Sequence, residues 1–288
     1  MLTYEREDIS VKGIAITKQI AKTNKLRVAL PSEIEGQPVV CVSRLDDGSS
    51  VLEDDPVEIN LPDSIKIIGV DAFRNKKNLK DINIPEGTIV IGKRAFGGDT
   101  NMNSALPKSL KEVGEYAFAD SGIDKMTFDK RLEKIGAGAF VNTSITEITF
   151  PDSLKEIPDE LFAGCKNLEK INFSESPIPG LQIGKGAFAD TGITEITFPS
   201  GLEKIPDELL ANCENLETIN LPEGLKEIGE GAFKNTNITE LTLPDSLSKI
   251  DRSAFADCKN LKVITYKGEK YDASNKDGIA VLLREIKP

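Results

Sequence analysis

The heptapeptide ITEITFP stands at residues 145–151 and again, unchanged, at 193–199, with ITELTLP at 238–244. Recurrence at a fixed period is the mark of stacked repeats and constrains the fold more than composition does. Two columns define the period. The first holds Phe73, Phe96, Phe118, Phe140, Phe162, Phe188, Leu210, Phe233 and Phe255, at steps of 22 or 23 residues except one of 26. The second, which closes each ITEITFP-like segment, reads Pro62, Pro85, Pro107, Asp129, Pro151, Ser174, Pro199, Pro222, Pro244 and Lys267. From the second column the first lies 11 residues on, but 14 on after Ser174, so three residues are inserted within SESPIPGLQ.

Each repeat reads as the same short elements. In residues 147–150 the alternation of Glu147, Ile148, Thr149 and Phe150 is that of a half-buried strand. The stretch after it, LKEIGEGAF at 225–233, gives a second short extended run ending in Ile-Gly, then one helical turn around Ala-Phe. No such piece buries its own apolar face. Stacking does, with each strand bonded to its copy about 4.8 Å away. About ten coils are expected from the ten members of the second column.

The pattern Leu-x-x-Ile-x-Leu-Pro-x-x-Leu-x-x-Ile-Gly-x-x-Ala-Phe, complete at 216–233, resembles the BspA-type leucine-rich repeat. The resemblance covers residues 56–267, and more loosely 26–55. It implies an α/β repeat solenoid, right-handed, of about ten coils of 22–23 residues with a parallel β-sheet on the concave face. It further implies a bacterial cell-surface or secreted protein acting in adhesion or protein binding, with no catalytic residues to carry over. A cytoplasmic location is the alternative, since MLTYEREDIS lacks the order of a signal peptide. The chain divides into a capping segment with an irregular first repeat at 1–55, the repeats at 56–267, and a cap at 268–288 made of a hairpin and short helix. In that helix Ile279, Leu282, Leu283 and Ile286 share one side.

Composition narrows the chemistry. Histidine and tryptophan are absent, which removes His-based catalytic arrangements and His-zinc sites. A net charge of −11 disfavours nucleic acid and anionic lipid. No apolar run approaches the ~18 residues that span a bilayer, so membrane insertion is not expected. Cys165, Cys213 and Cys258 occupy one column, three residues after the first, where other repeats carry Ser or Thr. Neighbours two coils apart lie about 9–10 Å from each other, beyond disulfide reach. Free thiols are expected, with no metal and no cofactor. The Gly-x-Gly of IGKGAF lacks the long helix that dinucleotide binding needs. The acidic stretch 45–56, with Asp46, Asp47, Asp54 and Asp55, lacks the order of a dedicated calcium loop, and whether it holds calcium stays open.

Function is then sought on the outward positions of the strands. One column runs Asn60, Asn83, Ala105, Thr127, Thr149, Asn172, Thr197, Asn220, Thr242 and Thr265, flanked by Glu147, Glu195 and Glu240. Solenoids bind on a concave sheet, so these residues form the candidate binding face. The inserted loop Ser174, Glu175, Ser176, Pro177, Ile178 and Pro179 is a second candidate. All twelve Phe fall at core positions, leaving Tyr4, Tyr116, Tyr266 and Tyr271 for surfaces. Carbohydrate binding by stacking is therefore disfavoured. The expected partner is a protein, of the host or bacterial, and the expected state a monomer. The alternative is a structural spacer or scaffold with no ligand face.

Overall fold

In the computed structural model the described residues are 2–6, 9–16, 27–30, 32–34, 36–43, 58–79, 81–99, 106–173, 178 and 180–286. They form a parallel-sheet β-solenoid of about nine turns. Contacts divide it into two compact units, Met1–Ser144 and Ile145–Pro288.

The ITEITFP-like segments form the first ladder. In the first unit Glu58–Asn60 pairs in parallel with Arg27–Ala29 and with Asp81–Asn83. In the second, Glu147–Thr149 pairs with Lys170–Asn172, Glu195–Thr197 with Thr218–Asn220, and Glu240–Leu243 with Val263–Tyr266. The register sets Ile148 against Ile171 and Thr149 against Asn172. Like therefore meets like, which is why the sequence must repeat in phase: a one-residue slip would turn every isoleucine to solvent.

The chain then reverses at a β-turn in which the second-column carbonyl accepts from the residue three on. Leu154 N–H donates to Pro151 O at 3.1 Å, and Leu225 N–H to Pro222 O at 3.1 Å. A second parallel ladder follows. Ile67–Ile68, Val90–Ile91, Glu112–Val113 and Lys134–Ile135 align in the first unit. Lys204–Ile205, Glu227–Ile228 and Lys249–Ile250 align in the second. The glycine after these strands answers to close approach: a Cβ on Gly136 would lie 2.3 Å from the Glu115 nitrogen one coil away.

The helical turn expected around Ala-Phe is instead a run of turns, and the reason is in the backbone. The residue two after the first column has φ between 55° and 81° in all nine coils: Asn75, Gly98, Asp120, Asn142, Gly164, Asp190, Asn212, Asn235 and Asp257. Only Asn, Asp and Gly stand there, the residues that tolerate left-handed backbone at least cost. The chain is thereby kept from closing a helix, and its N–H groups point at the next coil. Phe73, Phe96 and Phe118 N–H donate to the carbonyls of Ala95, Ala117 and Ala139, each at 2.8 Å. Phe162 N–H does the same to Ala187 O at 2.8 Å, and Phe233 N–H to Ala254 O at 2.9 Å. The coils that carry Phe73 and Phe162 are thus bonded to the next coil on three sides, through both ladders and the turns.

The core lies between these three stacks. Phe73, Phe96, Phe118 and Phe140 form a continuous column with ring centroids 5.3–5.5 Å apart. Of the twelve Phe, eleven are buried and Phe173 is half-buried. At the C-terminal end Val263–Tyr266 turns through Lys267 and Gly268, both at positive φ, into antiparallel Glu269–Asp272. A two-residue turn of this kind suits the twist of a hairpin. The position counted from sequence as a tenth segment end, Lys267, is thus a hairpin turn. Helix α1 (Lys276–Glu285) follows, capped by Asn275, whose side chain accepts from Gly278 N–H at 2.9 Å. Leu282 and Ile286 are buried, while Ile279 and Leu283 are half-buried.

Candidate functional site

The candidate face is the outward side of the first ladder. Pleating sends alternate side chains to opposite sides, so burying Ile148, Ile196 and Ile219 exposes their neighbours. Asn60, Asn83, Thr127, Thr149, Thr197, Asn220 and Thr242 are exposed, as are Glu147, Glu195 and Glu240. Asn172 and Thr265 are half-buried. Thr127 lies outside the strand ladders of the described residues, and Ala105 lies outside the described residues altogether.

In the second unit these side chains bond along the ladder. Asn172 Nδ2 donates to Glu147 Oε1 at 2.8 Å and to Thr149 Oγ1 at 3.3 Å, and Asn220 Nδ2 donates to Thr197 Oγ1 at 2.9 Å. The Lys170 ammonium stands 3.6 Å from Glu147. Bonds between neighbours in register hold the amides in one orientation and lower the entropy lost when a partner binds. Beyond Asn220 the face deepens into a groove of about 650 Å³. Its lining includes Thr218, Asn220, Thr242 and Thr265, and every charged residue in it is acidic: Glu217, Glu223, Glu240 and Asp245. The sequence pattern placed only Glu147, Glu195 and Glu240 beside the column. It missed this concentration because Glu217, Glu223 and Asp245 flank the column and converge only when the coils stack.

The inserted loop fares differently. Ser174, Glu175, Ser176, Pro177 and Pro179 lie outside the described residues, and Ile178 is buried. The Ile178 carbonyl accepts from Leu181 N–H at 3.2 Å, the bond that Pro151 makes to Leu154. Ile178, and not Ser174, therefore stands where other coils carry the turn proline. Tyr266, assigned to a surface by elimination, is also buried, with its hydroxyl donating to Leu247 O at 3.0 Å. The Lys267 ammonium lies 5.0 Å from the centre of its ring. Tyr116 is exposed.

The cysteines have the surroundings of packing residues. Cys41, Cys165 and Cys213 are buried, Cys258 is half-buried, and all four are free thiols. Cys213 Sγ donates to Phe188 O at 3.2 Å, and Cys258 Sγ to Phe233 O at 3.0 Å. The same carbonyls accept from Thr191 and Thr236. Burial pushes the Cys41 and Cys213 thiols up to about 11, far from the thiolate form that reactive cysteines need. No group of acidic or thiol side chains able to hold a metal ion occurs among the described residues, and the acidic stretch 45–56 lies outside them.

The sequence profile of the BspA type leucine-rich repeat region matches six copies over residues 55–169 and 181–274. The chain belongs to the BspA-type leucine-rich repeat family. The gap in the match, 170–180, contains the inserted residues, where this chain departs from the family's spacing. Among solved structures, a leucine-rich repeat protein of T. pallidum is 28% identical, covering 57% of this chain and 76% of that one, with a TM-score of 0.50. The pneumococcal vaccine antigen PcpA is 22% identical, covering 92% and 81%, with a TM-score of 0.59. The second likeness concerns the fold alone. A search of curated proteins returns no match. No helix among the described residues is long and apolar enough to cross a membrane.

Proposed function

We propose that this BspA-type repeat protein is a non-enzymatic binding module that holds another protein on the outward face of its first ladder. The observation that carries the reading is the groove of the second unit, where short polar side chains lie in register and every charged residue of the lining is a carboxylate. Such a surface suits a partner presenting Lys or Arg, and the contact weakens as salt rises. Leucine-rich repeats commonly serve as protein-interaction modules, in line with this reading. The partner is a protein of the host or of a bacterium, and the protein acts as a monomer outside the cell or on its surface. A protease-shaving assay on intact cells tests that location.

One observation favours a second reading, a spacer without a ligand face. Asn172 and Asn220 spend their amide donors on neighbouring coils, as a column does when its only task is to hold the stack together. The discriminating experiment is the triple substitution Thr149→Arg, Thr197→Arg and Thr242→Arg. A binding module loses capture of its partner from host or bacterial extracts while thermal unfolding stays within a few degrees. Unchanged capture, or none by the wild type, leaves the spacer.

A further inference from the structure

The last coil ends the hydrogen-bonding pattern of the turn stack abruptly. Phe233 N–H donates to Ala254 O at 2.9 Å and Asn235 N–H to Ala256 O at 2.8 Å. The equivalent donors one coil on, Phe255 N–H and Asp257 N–H, have no acceptor among the described residues. Donors at this two-residue spacing are what each turn of the stack offers to the next, so an added segment of the same shape would meet both. Beside this edge lies a groove of about 750 Å³ between the last coil and α1. Its floor is apolar, from Phe255, Ala256, Ala273, Ile279, Ala280 and Leu283. Its charged lining is Arg252, Lys259 and Arg284 against a single Asp257, so three cations face one anion on a chain whose net charge is −11.

We propose that this groove is a docking site for an acidic peptide segment of a partner protein, bound in a turn conformation as one further member of the turn stack. The segment's carbonyls accept from Phe255 and Asp257 N–H, its small or apolar side chains lie on the alanine, isoleucine and leucine floor, and its carboxylates meet Arg252 and Arg284. The arrangement has a precedent within the molecule. Residues 114–121, GEYAFADS, lend the carbonyls of Ala117 and Ala119 to Phe96 and Gly98 N–H, each at 2.8 Å. That segment carries two acidic residues, Glu115 and Asp120, and no basic one. The site is at the end of the array and independent of the ladder face, so it stands or falls apart from the function proposed above.

The probe is a fluorescein-labelled GEYAFADS peptide, titrated with the full chain by fluorescence anisotropy. Saturable binding is expected. It weakens at least about tenfold when Arg252→Glu and Arg284→Glu are combined, and by a similar factor when lysines replace both acids of the peptide. Ala280→Trp, at an exposed position that leaves the core untouched, blocks the groove and abolishes binding while far-UV circular dichroism is unchanged. Absence of saturation up to about 1 mM, or equal affinity in all variants, overturns the proposal. So does concentration-dependent self-association in sedimentation that the same charge reversals remove, since the occupant would then be a second copy of this chain.

Discussion

The two units stack the same repeat but fill it differently. In the first, Phe73, Phe96, Phe118 and Phe140 form one unbroken column, each preceded by a buried alanine. In the second, Phe162 and Phe188 sit 6.5 Å apart, Leu210 interrupts the column, and it resumes with Phe233 and Phe255 at 5.8 Å. The coils of Phe162 and Leu210 both hold a leucine, Leu161 or Leu209, instead of the preceding alanine, and a proline, Pro158 or Pro206, in place of the glycine. Extra volume also enters from the first ladder, where Phe150 and Phe173 stack at 5.5 Å. What the coil conserves is the total volume between its three ladders, and the identity of any one side chain follows from its neighbours.

That comparison can be broken most easily in the unbroken column. Phe118→Ala is expected to lower unfolding free energy by about 3–5 kcal/mol, read by urea denaturation; a smaller loss would mean the coils collapse into the space. Leu210→Phe is expected to destabilise by about 1–3 kcal/mol because Leu209 and Leu210 are both fully buried and the coil is packed around the smaller pair. Adding Leu209→Ala to it should restore most of the loss. Failure of that rescue would show that the two units do not trade volume between these positions. Gly136→Ala, driven against the Glu115 nitrogen, is expected to fall in the same range of about 1–3 kcal/mol. At the left-handed position, Asn142→Ala should cost about 1–2 kcal/mol and Asn142→Gly much less, which thermal unfolding resolves.

The smallest effect concerns charge. Glu227 is held below the usual carboxylate range by its hydrogen bond from Lys249 and by the nearby Lys204 ammonium. Its folded value is the lower one, so its stabilisation is complete above about pH 4.3 and lost as pH falls through the folded pKa. With the side chain 28% exposed, Glu227→Gln should cost under about 1 kcal/mol at pH 7. The difference from wild type should shrink in acid, which unfolding curves at several pH values would show.

The period, the buried isoleucines and the membership of the Phe column were legible in sequence because stacking demands the same shape in each coil. The helical turn around Ala-Phe was misread although its correction was written in a neighbouring column: Asn, Asp and Gly alone at positions such as Asn75, Asp120 and Gly164 mark left-handed backbone. The place of Ile178 was hidden because the insertion replaces the turn proline with an apolar residue and shortens the step from Leu181 to Ile183 by one. The candidate face was legible as a column, since exposure of Thr149 and Thr197 follows from burial of Ile148 and Ile196. Its acidic groove was not, because Glu217, Glu223 and Asp245 belong to different segments of two coils. The unsatisfied donors of Phe255 and Asp257 were likewise invisible until the stack showed where its next member would stand.

The most direct test of the proposed function is a photocross-linker placed on each of two ladders of the second unit. Thr197, on the first ladder, and Lys226, beside the second, are each replaced by p-benzoylphenylalanine, and the two proteins are irradiated in the extract that yields a captured partner. A cross-linked protein from position 197 alone, diminished at high salt, is the expected outcome. Equal cross-linking from both positions, or cross-linking from position 226 alone, would contradict the assignment of binding to the polar face.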